Sequence, residues 1–354
     1  MAVSLNENCC IMKNDKLPAV GISVIVITLN EEHNIRDCLT HLTNQRFPGE
    51  LYEIIIIDAS TDATPLITAE FEDVRVLKSK KGFSRQKNAG WQAARFDVVA
   101  FTDADCLVPD DWLLTISAAM DHPGTVAVGG NALAPKQCRW FALCVACVGH
   151  PAGGAIGFDA NISPGPRGIS FIAGCNGAFR KSVIAEVGGF DSRFQDGGED
   201  VDLSWRLRRV GYRLDYIPSL TLYHKPHVPF WHYVKWNIGV GVTKYSLRQP
   251  SLGKIIFDFR FPLWPLIALL LWFKWLLSAA FSAMAALALF WLLYLLFLSC
   301  LSRPFQLLLE RRQKIGLDLY STMTMVPLLV LVRQMAIAMG QLKKWLKVQR
   351  GRGN

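Results

Sequence analysis

Residues 22–62 read ISVIVITLNEEHNIRDCLTHLTNQRFPGELYEIIIIDASTD, and this stretch decides the fold. Ile22–Thr28 is a continuous β-branched run, the signature of a strand buried on both faces. Polar Asn30-Glu31-Glu32 breaks it, and the spacing predicts a helix through about Asn44. Ile54–Ile57 is a second such strand, ending at Asp58, with Ser60-Thr61-Asp62 set to cap the next helix. Working outward, Val74–Leu77 is a short third strand, Gly82 leads into a helix over roughly 84–95, and DVVAFT (97–102) is a fourth strand. Strand and helix alternating in this way predict an α/β fold with a doubly wound, mostly parallel sheet.

In such a sheet, ligands bind beyond the carboxyl ends of the strands, near the point where strand order reverses. Thr28–Glu31, Asp58 and Asp103–Asp105 all lie at such ends and are expected to converge on one crevice. Asp103 and Asp105, one residue apart at a strand tip, can hold a divalent cation. Residues 133–170, rich in glycine and proline, are expected to be irregular, a mobile loop over the crevice. FIAGCNGAFRKSVIAEVGGFD (171–191) then predicts a strand carrying Asn176 and Gly177, and a helix from Lys181 to Gly188-Gly189. Glu199 and Asp200 open a further helix behind two glycines, and a last strand over 214–224 ends at Tyr223-His224.

Lys and Arg number 38 against 29 Asp and Glu, a net charge of +9. Residues 1–262 carry 27 of each sign, so that part is neutral. The excess lies in Lys274 and in 303–354, where ten basic residues face Glu310 and Asp318. Basic charge that borders an apolar block argues against nucleic acid as a partner and for an anionic membrane surface. Nine irregularly spaced cysteines do not suggest an oxidised scaffold, and the first residues do not read as a secretion signal, so a reducing, cytoplasmic setting is expected. Cys138, Cys144, Cys147 and His150 have zinc-like spacing in part, but without a second ligand pair in an apolar run they read better as buried or membrane-facing thiols.

From Phe261 to Leu301 the only formal charge is Lys274. At about 1.5 Å per residue this run is far longer than one crossing of a hydrocarbon core about 30 Å thick. Two spans, about 261–280 and 283–301, are expected, returning the basic residues beside the soluble part. A helix at about 321–342 follows, interfacial or re-entrant, with a third span as the alternative, and then a basic tail. The aromatic run PFWHYVKW (229–236) offers Trp231, Tyr233 and Trp236 at headgroup depth. The organisation expected is a flexible 1–20, a catalytic domain over 21–250 and a membrane region over 251–354.

The segments ISVIVITLNEE, IIIIDASTDAT, KGFSRQKNAGWQAARFDVVAFTDADC, AGCNGAFRKSVIAEVGGFD and GGEDVDLSWRLRRVGY resemble, in this order, the family 2 glycosyltransferases. NIGVGVTKYSLRQP and VRQMAIAMGQLKKW resemble the bacterial membrane-associated branch that builds exopolysaccharide and lipid-linked glycans. The resemblance implies the GT-A fold and transfer of a sugar from a nucleotide-sugar donor. It implies that Thr28, Asn30 and Glu31 line the base and ribose, that Asp58 accepts from the base, and that Arg85 and Lys87 lie near the uridine or pyrophosphate. Asp103 would touch the ribose or metal-bound water, Asp105 would ligate Mg2+ or Mn2+ directly, and His224 would be a further ligand. Asn176 and Gly177 would face the donor sugar. Asp200 would be the catalytic base, preferred over Glu199 by family position alone.

One base and no covalent nucleophile imply inversion at the anomeric carbon. The acceptor implied is lipid-linked or a growing glycan, met at the cytoplasmic face of the inner or cytoplasmic membrane, with membrane lipids as partners. Two alternatives stand beside this: a processive polysaccharide synthase and a catalytically silent scaffold. Processive members carry Q-x-x-R-W after the acidic motif, whereas QCRW (137–140) here has different spacing and precedes Glu199. Intact Asp103, Asp105, Glu199 and Asp200 argue against silence.

Overall fold

The computed structural model describes residues 20–135, 137–148, 168–225, 229–248, 312–313 and 316–352. The two apolar spans expected at 261–280 and 283–301, the N-terminal segment, His150 and most of the expected mobile loop lie outside the described residues. The strands are β1 (Ile22–Thr28), β2 (Tyr52–Asp58), β3 (Val74–Lys78), β4 (Val98–Asp103), β5 (Cys106–Leu107), β6 (Ala127–Leu133), β7 (Gly177–Arg180) and β8 (Asp215–His224). They form one sheet in the order β3-β2-β1-β4-β7-β6-β8-β5. The pairs β1–β2, β1–β4, β2–β3 and β6–β8 are parallel, while β7 runs antiparallel to both β4 and β6 and β5 runs antiparallel to β8. The sheet is therefore mixed, with the parallel half in its first four strands.

The helices are α1 (Ile35–Thr43), α2 (Thr64–Thr68), α3 (Phe83–Ala93), α4 (Trp112–Met120), α5 (Trp140–Cys147), α6 (Lys181–Glu186), α7 (Glu199–Val210), α8 (Phe230–Arg248) and α9 (Leu319–Arg352). Alternation along the strands sorts the core into two layers. Ile22, Val24 and Val26 pack with Ile35, Leu39 and Leu42 of α1 and with Trp112 and Ile116 of α4. Their neighbours Ile25 and Ile27 face the other way, toward Val183 and Ile184 of α6 and Leu203 and Leu207 of α7. Burial on both faces is why β1 is apolar at every position but Ser23 and Thr28. The layer holding α3 is close: a Cβ at Gly90 would run into Ile25.

A third apolar cluster joins Cys144, Val145 and Cys147 of α5 to Tyr233 of α8 and Val326 and Leu329 of α9. Part of the stretch expected to be irregular is thus a packed helix, and its cysteines are buried thiols. Apolar residues all around that helix deny its sequence the periodicity that marks an amphipathic helix. Tyr233 also departs from expectation. It is 2% exposed and donates its hydroxyl to the Leu329 carbonyl (3.1 Å), whereas Trp231, at 75%, is exposed as expected. α8 and α9 cross closely enough that a Cβ at Gly241 would strike the Ile337 carbonyl, and one at Gly340 the Ile238 carbonyl. Among the described residues, α9 alone is long and apolar enough to cross a membrane by length and composition.

Candidate active site

Three strand ends build the floor of the crevice. β1 and β2 are in register, so Thr28 stands opposite Asp58, and β1 and β4 bring Ile27 opposite Asp103. Strand order reverses between β1 and β4, where the first α/β layer changes direction. Thr28 donates its hydroxyl to Asp58 Oδ1 (2.7 Å), which also accepts the Ser60 N–H (3.1 Å). Asn30 adopts a positive φ of 60°, a conformation its short polar side chain tolerates. Its Oδ1 accepts from the Thr61 N–H (2.9 Å), which locks the β1 and β2 turns together. Gln86, which no sequence pattern singles out, donates to the carbonyls of Thr28 (2.9 Å) and Ile57 (2.8 Å) and ties these strand ends from below.

The acidic centre follows. Asp105 Oδ1 lies 3.0 Å from His224 Nε2, and the donor atoms of Asp103, Asp105 and His224 all fall within 4.8 Å of one another. Two carboxylates and an imidazole at that separation fit a hard divalent cation such as Mg2+ or Mn2+. Burial works against a charged imidazole, but Asp105 overrides it and holds His224 well above its ordinary pKa. Burial likewise pushes the Asp103 carboxyl up, against the pull of Lys87 and His224. Glu31, at the end of β1, is pushed up to about 7, chiefly by burial and then, despite the Asn34 side-chain hydrogen bond, by the charges of Asp105 and Asp103.

Lys87 and Glu199 form the second feature. Their side chains, 3% and 4% exposed, meet at 2.6 Å between Lys87 Nζ and Glu199 Oε1. Lys87 Nζ also stands 5.9 Å and 5.8 Å from the ring centroids of Phe101 and Phe190. Burial would lower the Lys87 pKa, yet Glu199, Asp103 and Asp200 hold it above its ordinary value. Asp200 comes from the same helix start. Its Oδ2 accepts from the Gly174 N–H (2.9 Å) and its Oδ1 from the Val201 N–H (2.7 Å). A Cβ at Gly174 would collide with Lys87 Nζ and displace it from its place beside Glu199. Gly198, with φ of 90°, turns the chain into α7 and abuts Thr243 of α8.

Not every expected residue reaches this crevice with its side chain. Asn176 is fully buried, donating to the carbonyls of Asn131 (2.7 Å) and Leu220 (2.9 Å) and accepting from Trp112 Nε1 (2.9 Å). Its amide is engaged in joining β6, β8 and α4. Gly177 lies in β7, packed against Ile172. Arg85 is exposed and donates to the Lys81 carbonyl (2.7 Å), apart from the buried acids that Lys87 meets.

Residues 23–188 match the family model described as glycosyl transferase family 2. This is a family 2 glycosyltransferase domain. Relatives agree with it. Glycosyltransferase AglE of Haloferax volcanii is 26% identical over 265 residues, which cover 70% of this chain and 81% of that protein. Poly-beta-1,6-N-acetyl-D-glucosamine synthase of Staphylococcus epidermidis is 27% identical over 258 residues, 69% of this chain but 57% of the synthase. Among solved structures, the mannosyltransferase PcManGT from Pyrobaculum calidifontis, in complex with GDP-Man and Mn2+, has a TM-score of 0.58 at 21% identity, covering 92% of this chain and 88% of its own. That likeness is one of fold: the family 2 domain at residues 23–188 has the GT-A architecture.

Proposed function

We propose that this glycosyltransferase moves a sugar from a nucleotide-sugar donor to a lipid-linked or growing glycan acceptor, with inversion, at the cytoplasmic face of a membrane. The observation that carries the reading is the convergence of Asp103, Asp105 and His224 beside Lys87, Glu199 and Asp200 beyond the carboxyl end of β4. It is in keeping that the similar mannosyltransferase is titled as a complex with GDP-Man and Mn2+. Asp103, Asp105 and His224 would hold Mg2+ or Mn2+, which when bound neutralises charge growing on the diphosphate leaving group.

The chain's own residues do the rest. Thr28 and Ser60 fix the Asp58 carboxylate so that its remaining oxygen can accept from the base of the nucleotide, in a turn shaped by Asn30. Lys87, kept charged in a nearly dry pocket, sets fixed positive potential beside the acids, where preorganised charge acts most strongly. Glu199 is spent on Lys87. Asp200 is anchored by two backbone N–H groups yet keeps lone pairs for the acceptor hydroxyl, so it is the better base, taking the proton as the oxygen attacks.

Membrane placement is supported by an aromatic group at the base of the helical cluster. Trp140 donates to Ser321 (2.8 Å), Phe141 meets Phe230 at 6.4 Å between ring centroids, and Trp231 and Tyr320 are exposed. With α9, which is long enough to cross, they suit a multi-pass protein whose soluble domain lies on the lipid surface. The test is direct. Asp200→Asn is expected to cut transfer by about 10²–10⁴-fold while Mn2+-dependent nucleotide binding is kept. Asp105→Ala is expected to lose that binding in calorimetry. Full-rate transfer by the Asp200 variant, or unchanged titration of the Asp105 variant, would refute the assignment.

A further inference from the structure

His224 belongs to a second group of ligand-type side chains. Its cross-strand partner in the β5–β8 ladder is Cys106, and Cys175 approaches from the turn before β7. One donor atom each from Cys106, Cys175 and His224 lies within 4.8 Å of the others. Both sulfurs are buried, at 0% and 5% exposure. His224 is in turn paired with Asp105, its Nε2 lying 3.0 Å from Asp105 Oδ1. The soft donor set and the acidic pair therefore share His224.

This set differs in kind from the oxygen-rich one beside it. Two thiolates and one imidazole select thiophilic ions and give Mg2+ and Mn2+ little. Around a tetrahedral Zn2+, sulfur and nitrogen donors stand about 3.5–3.8 Å apart, so the three atoms need to close by at most about 1 Å. Asp105 on one ring nitrogen of His224 has the form of a carboxylate that orients a metal-binding histidine. The ligands sit on paired strands and a short packed turn, which keeps them near that geometry.

We propose that Cys106, Cys175 and His224 form a soft-metal site for Zn2+ or a similar thiophilic divalent cation, and that its occupancy competes with the Asp103–Asp105 site through the shared His224. The competition rests on the donor-site reading above; the soft site does not. On binding, each thiol gives its proton to solvent as a sulfur–metal bond forms, and His224 supplies a ring lone pair. The site would make the transferase sensitive to thiophilic metals without any change in the donor.

The full-length protein in detergent, titrated with Co2+ as a spectroscopic stand-in for Zn2+, decides the matter. A thiolate-to-Co2+ charge-transfer band saturating at a single equivalent and bleached by Zn2+ is expected. Cys106→Ser and Cys175→Ser should each lose it with an unchanged circular dichroism spectrum. No thiolate band in the wild type, which requires no variant to fold, overturns the proposal. So does a band that persists in the double variant. Free Mn2+ followed by electron paramagnetic resonance tests the competition: one equivalent of Zn2+ should weaken Mn2+ binding by about tenfold or more. Unchanged Mn2+ binding overturns the coupling. Asp103→Asn should lose Mn2+ but keep the Co2+ band; if it loses neither, the donor-site reading fails while the soft site stands.

Discussion

Lys87 and Glu199 lie 112 residues apart in sequence and meet with both side chains buried from solvent. Removing one partner leaves the other charged and unpaired, which costs about 3–5 kcal/mol. Lys87→Met is therefore expected to lower the urea midpoint markedly, and Lys87→Met/Glu199→Leu to recover part of the loss; equal midpoints for the single variant and wild type would contradict the pairing. Glu31 carries a pH prediction. Its carboxyl is raised from 4.5 to about 7, mainly by burial. A raised group favours the fold below its ordinary value and loses that contribution as the pH climbs through the folded one. Metal-free protein should thus fall in Tm between about pH 4.5 and 7 relative to Glu31→Gln, and superimposable profiles would exclude the effect. Asp103, Asp105 and Asp58 were legible because strand ends announce themselves in sequence. Lys87's pairing, Gln86's brace and the burial of Asn176 were not, because each depends on a partner from a distant segment.

At the level of elements, the parallel half of the sheet could be read directly: β1, β2, β3 and β4 fall where apolar runs predict them. β7 could be located but not oriented, since a four-residue strand carries no sign of its direction. β5 has two residues and leaves no periodic trace at all. The crossing of α8 and α9 was hidden for another reason: Gly241 and Gly340 look like weak points of a helix until the partner backbone is seen against them. Gly241→Leu is expected to force the two helices apart. Because Thr243 Oγ1 donates to the Gly197 carbonyl (2.9 Å), the shift should reach Asp200, lowering kcat while leaving Mn2+-dependent nucleotide affinity unchanged. Parallel loss of both, or of neither, would speak against this route.

For the whole molecule, the neutral α/β domain and the basic, apolar C-terminal part meet through α5, α8 and α9. Exposed Trp231 and Tyr320 are expected to anchor that junction in headgroups. Replacing both with Ser should reduce the share of protein floating with anionic vesicles after mild detergent removal, without altering its melting curve. Undiminished flotation would assign anchoring to other segments.

The bond from Thr243 to the turn at Gly197-Gly198 has a practical consequence for recombination between relatives. A chimera cut between the sheet and the C-terminal helices would separate a helix from the acidic turn it was fitted to, and each half would arrive with a stranger's threonine or glycine. A workable exchange must carry residues 197–200 and α8 as a single block, whichever parent supplies the nucleotide-facing strands.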